Sequence, residues 1–118
     1  MVLIYCHLIG DFLLQNEWMQ RKGRSSFVCL VHVFFYSLPF WFCSIISIPR
    51  HAAWLVFPIM AEHFLQDRFD WAGKYQHLIR QTPAEKWPVG RLIVDQVFHL
   101  LWIEIVVAFF AAYFGGKI

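Results

Sequence analysis

Seven ionisable side chains interrupt stretches that are otherwise almost wholly apolar: His7, Asp11, His32, His63, Asp67, Asp95 and His99. Six of them form pairs four residues apart, His7/Asp11, His63/Asp67 and Asp95/His99. On a helix that spacing puts both members on one face. Charge at membrane depth is costly, so such residues turn toward a bundle interior or a wet cavity. The pattern calls for several helices whose polar stripes face one another.

Composition supplies the environment. Of 118 residues 59% are hydrophobic and only 15% charged, with a mean hydropathy of +0.52. A soluble domain of this size has too little interior for so much apolar surface, which favours a membrane protein. The 13 Phe and 6 Trp suit lipid-facing and interfacial positions. A net charge of +2, with no basic stripe interleaved with aromatics, argues against nucleic acid as a partner. Cys6, Cys29 and Cys43 are isolated, and without a C-x-x-C they indicate neither a disulfide framework nor a zinc ribbon. They read as small buried apolar residues. The first apolar stretch has no basic leader and no small-residue cleavage site, so it is expected to be retained.

The apolar segments predict one transmembrane domain over 1–118, with helices at about 2–19, 27–48, 52–69 and 89–114 and a connection at about 70–88. The third helix has an amphipathic continuation toward Tyr75. Pro39 and Pro58 are expected to kink their helices without ending them. The expected fold is all-α, an integral membrane four-helix bundle. Arg21, Lys22, Arg24, Arg68, Lys74, Arg80, Lys86 and Arg91 fall on one side of it, against Arg50 and Lys117 on the other. The positive-inside rule then places both termini on the non-cytoplasmic side and the 70–88 connection in the cytoplasm. In that orientation all four helices bring their polar groups to overlapping depth in the cytoplasmic half.

Imidazole and carboxylate together suit a divalent metal, Zn²⁺ first, with Mn²⁺, Fe²⁺ and Ni²⁺ as alternatives. All seven residues are candidate ligands. The surplus over four allows two ions, or one ion with carboxylates orienting the imidazoles. An open coordination position would make a nucleophile of water, with Asp67 as base and His32 as ligand or general acid/base. Two other readings stand beside this one. The polar cluster could be a structural metal or hydrogen-bond staple in a non-enzymatic interaction protein, or an ion or proton pathway. Glu104, nine residues beyond Asp95, is about half a turn out of phase and should point away. His51 and His77 are expected in solvent. Gln15, Gln66 and Gln96 follow the Asp-bearing motifs closely and should pair across helices or meet a substrate.

The run H-L-I-G-D-F-L-L-Q (His7 to Gln15), followed by N-E-W-M, His32, H-F-L-Q-D (His63 to Asp67), Lys74 and D-Q-V-F-H-L-L (Asp95 to Leu101), resembles the domain of unknown function 3307 family. These are small integral membrane proteins of bacteria and their phages. The resemblance covers nearly the whole chain, implies a multi-pass protein of the bacterial inner membrane, and picks out the same seven residues. It adds Gly10, Gln15, Lys74 and Gln96 as supporting positions, with Gly10 allowing close helix approach. The pattern is also distantly similar to membrane-bound metal-dependent hydrolases. That similarity implies hydrolysis of a lipid or phosphoester substrate. The lipid bilayer and a second copy of the chain are the other expected partners.

Overall fold

The computed structural model describes residues 1–46, 50–82 and 85–115, and they are all-helical with turns. Helix α1 (Val2–Leu8) runs straight into a π-helical turn, Ile9–Leu13. The Leu14 amide reaches back five residues to the Ile9 carbonyl at 3.1 Å and ends the helix there. Asn16 then accepts the Met19 amide at 2.9 Å and starts a 3-10 helix, Trp18–Gly23. The expected first helix to residue 19 is thus two pieces, because an Asn side chain offers the backbone a turn.

Helix α2 (Ser26–Ile46) starts where the Ser25 hydroxyl accepts the Val28 amide at 3.4 Å, and carries Pro39 without ending. A 3-10 stretch, Arg50–Leu55, leads into α3 (Val56–Phe69). Asp70 follows in the left-handed region (φ 49, ψ 56) and breaks the chain direction. Its carboxylate accepts the Gly73 amide at 3.1 Å, capping a separate helix α4 (Trp71–Leu78). The amphipathic continuation of the third segment is therefore a new helix. Helix α5 (Pro88–Phe114) begins with proline at its first turn, where no amide hydrogen is needed.

The core lies between α1, α2, α3 and α5, where Cys6, Tyr36, Phe40, Val56, Ile59 and Ile103 bury one another. Gly10 allows a close crossing with α2: a Cβ there would lie 2.5 Å from the Tyr36 carbonyl oxygen. The expected role of Gly10 in close approach is met. Cys43 packs against this core and brings its sulfur to 3.3 Å from that of Cys6, both as free thiols. Helices α2 and α5, of 21 and 27 residues, are long and apolar enough to cross a membrane. Their outer faces expose Phe27, Phe34 and Phe42 on α2 and Val97, Leu101, Ile105 and Phe109 on α5. Glu104 is exposed on α5, directed away from the cluster as its phase requires.

Candidate metal centre

Four helical elements deliver the polar residues to one buried place. The π turn carries Asp11, α2 carries His32, α3 carries His63 and Asp67, and α5 carries Asp95, Gln96 and His99. His7, His32, His63 and His99 are completely buried, and Asp11 and Asp67 nearly so. The residues fall into two groups that could hold a metal ion, Asp11/His32/His63/Asp67 and Asp67/Asp95/His99.

In the first group, His32 Nε2 lies 2.9 Å from His63 Nε2. It is 3.4 Å from Asp11 Oδ1 and 3.3 Å from Asp67 Oδ2. His63 Nε2 is 3.7 and 3.2 Å from the same two oxygens. Ligands about 2.0–2.2 Å from a tetrahedral ion stand about 3.4 Å from one another. These five spacings bracket that value, and all four atoms lie within 4.8 Å of one another, compatible with a tetrahedral set of ligands.

A cation is already seated against this group. Lys22, from the 3-10 helix Trp18–Gly23, puts Nζ 2.7 Å from Asp67 Oδ2, 3.3 Å from Asp11 Oδ1 and 3.2 Å from His32 Nε2. Burial works against the Lys22 charge, yet Asp67 and Asp11 outweigh it and hold the pKa above the ordinary lysine value. Sequence reasoning counted Lys22 only as an orienting charge. Its position on the polar run just before α2 gave no signal that it folds back over the carboxylates.

The ammonium also fixes hydrogens around the ring of histidines. It has no acceptor, so His32 Nε2 must accept from it. The hydrogen between His32 and His63 then belongs to His63 Nε2. His63 Nδ1 is left bare and accepts from His99 Nδ1 at 3.2 Å. A neutral His99 consequently keeps a bare Nε2, which makes no hydrogen bond and lies 3.6 Å from Asp67 Oδ1 and 3.7 Å from Asp95 Oδ1. The Tyr36 ring stacks on His63 at 3.6 Å and 4°, holding its plane.

His7 is brought to the cluster but to neither ligand group. Its Nε2 donates to Gln96 Oε1 at 2.8 Å and its Nδ1 accepts from the Tyr36 hydroxyl at 3.0 Å. Gln96 Nε2 in turn donates to Asp11 Oδ2 at 2.7 Å. Both His7 nitrogens are thus occupied, and the residue orients Asp11 through Gln96. The first four-residue pair is therefore joined indirectly, through the Gln96 amide.

Tyr36 and Glu62 complete the site and were not anticipated. Tyr36 lies four residues beyond His32, on the same face. Glu62 is buried beside His63 and stands 3.4 Å from His99 Nδ1. As an ionisable residue inside an apolar segment it met the criterion that singled out the other seven. Lys74, by contrast, is exposed and lies over the Phe69 ring. His77 is exposed as expected, while the side chain of His51 falls outside the described ones. A cavity of about 790 Å³ opens onto Asp11, Lys22, Asp67 and Asp95, and its wall includes Gln15, Gln66, Arg21, Arg24 and Arg91.

Fold and site define a class: an all-helical protein with apolar outer faces and a buried histidine–aspartate cluster able to hold a metal ion. The chain belongs to the family described as "Protein of unknown function (DUF3307)", which it matches over residues 1–115. No curated protein and no solved structure matches it.

Proposed function

We propose that this is a bacterial inner-membrane protein whose buried cluster binds a divalent metal, Zn²⁺ by its donor set, and hydrolyses a lipid or other phosphoester at the cytoplasmic surface. The observation that carries the reading is the ligand-like spacing of Asp11, His32, His63 and Asp67, brought together by three elements and buried. In this reading α2 and α5 cross the bilayer, and α1 and the tract 50–69 penetrate with them as shorter members of a four-helix bundle. Short segments are accommodated by local thinning of the bilayer. Both termini lie on the non-cytoplasmic side, and the connection before α5 lies in the cytoplasm, where its positive charge belongs.

A metal ion there, with water as a fifth ligand or in place of one carboxylate, would lower that water's pKa toward neutrality and polarise a phosphoryl oxygen. Arg21 and Arg24 on the cavity wall give an anionic headgroup an electrostatic reason to enter. Asp67 and His32 act as ligands, since each gives an atom to the tetrahedron. Purified protein should carry stoichiometric metal by elemental analysis, and His63→Ala should lose it together with phosphoesterase activity. Folded wild-type protein that takes up no divalent metal would sink the proposal.

The position of Lys22 favours one other reading. An ammonium seated on two carboxylates makes the cluster a self-neutralised staple, and the protein an interaction module without turnover. Lys22→Met separates the two: a staple is destabilised at every metal concentration, whereas a metal site is rescued by added Zn²⁺.

A further inference from the structure

Asp67 presents its two oxygens to two different places. Oδ2 belongs to the tetrahedral group with His32 and His63, at 3.3 and 3.2 Å. Oδ1 faces the other way, toward His99 Nε2 at 3.6 Å. We propose that Asp67 bridges a binuclear centre, with a second divalent ion held by Asp67 Oδ1, Asp95 and His99 beside the first. The inference rests on the metal reading above and extends it to a second ion.

Three observations carry it. His99 is completely buried, yet its Nε2 has no hydrogen bond and looks into two carboxylate oxygens. An imidazole nitrogen and two carboxylate oxygens converging in a buried corner make a place for a cation, either a proton on Nε2 or a metal ion. Next, the means of keeping Nε2 free are at hand. When His63 Nε2 ligates the first ion, its hydrogen moves to Nδ1, which can no longer accept from His99. Glu62, buried and without a hydrogen bond, lies 3.4 Å from His99 Nδ1 and takes over that hydrogen. A carboxylate behind a ligating imidazole fixes its tautomer in this way. Finally, the second group has three protein donors where the first has four. Its Asp95 side chain is 24% exposed and lines the cavity together with Asp67. Closed four-donor sites are structural, while three donors leave a position for water or substrate.

The two ions therefore divide the work. The inner one, closed by Asp11, His32, His63 and Asp67, holds the helices together. The outer one faces the cavity and meets the substrate. Two-metal sites keep their ions about 3.5–4 Å apart and clamp the attacking and leaving oxygens of phosphoryl groups. A single bridging carboxylate spans such a gap, and the basic cavity wall suits the same anionic substrate.

The test is metal content and magnetic coupling in the full chain, purified in detergent, stripped and reloaded with Mn²⁺. Wild type should bind two ions per chain and give an exchange-coupled Mn²⁺–Mn²⁺ electron paramagnetic resonance spectrum. His99→Ala should bind one ion and give an uncoupled signal. Asp95→Asn, on the exposed side of the site and nearly isosteric, should do the same if His99→Ala fails to fold. Glu62→Gln should weaken the second ion about tenfold while leaving the first. One ion in wild type, unchanged in Asp95→Asn, would overturn the binuclear centre and leave a proton on His99 as the cation, with the single-metal reading intact. Wild type without any metal would overturn both.

Discussion

Lys22 and Gln96 act at the scale of single atoms, and both sit where motif reading alone assigned little. Lys22 occupies the space a metal would claim against Asp67 and Asp11. Lys22→Met should therefore raise divalent affinity about tenfold, roughly the 1.4 kcal/mol of one removed competitor, measured by chelator competition. Unchanged or weaker binding would mean the ammonium does not leave. In metal-free protein the sign is reversed, because the lysine compensates buried carboxylates. Its raised pKa makes that stabilisation complete below the ordinary lysine value of 10.5. The contribution is lost as pH rises through the higher folded value. The stability gap between wild type and Lys22→Met should accordingly close only at strongly alkaline pH, followed by detergent-phase thermal unfolding. Gln96→Leu strands His7 Nε2 and Asp11 Oδ2 in the interior. It should lower stability by about 1–3 kcal/mol, and an unaltered melting curve would count against the orienting role given to His7.

At the scale of elements, the spacing rule worked wherever the helix was regular. His63/Asp67 on α3 and Asp95/His99 on α5 each share a ligand group. Across the π turn, His7 and Asp11 both reach the cluster, but only Asp11 enters a group that could hold a metal. Nothing in composition marks a π turn; it becomes intelligible only once Gly10 is seen against the Tyr36 backbone. The break at Asp70 was equally hidden, since an aspartate is an ordinary residue until its backbone goes left-handed. The long helices α2 and α5 were legible because twenty or more apolar residues leave few other structures open to them. Gly10→Ala puts a methyl 2.5 Å from the Tyr36 oxygen. It should separate α1 from α2 at a cost of roughly 1–3 kcal/mol and weaken metal retention through the neighbouring Asp11. Full metal content in a folded Gly10→Ala protein would show that the crossing does not position the site.

For the whole molecule, the cavity beside the cluster is walled by Arg21, Lys22, Arg24 and Arg91, while α2 and α5 expose apolar faces. The orientation proposed from charge makes a direct prediction. A single cysteine replacing exposed Lys86, in a background without Cys6, Cys29 and Cys43, should react with an impermeant maleimide in inside-out vesicles only. Labelling in right-side-out vesicles would invert the topology and put the cavity on the outer surface. Lys22 bears, finally, on biogenesis. A chain entering a bilayer with bare buried carboxylates would have to wait for metal before its helices could close. Because it brings its own ammonium into the ligand shell, the bundle can assemble first and be charged afterwards. On the metal reading proposed above, maturation would be an exchange of one cation for another inside a finished fold, with the speed of Lys22's departure setting how quickly newly made protein becomes metal-loaded.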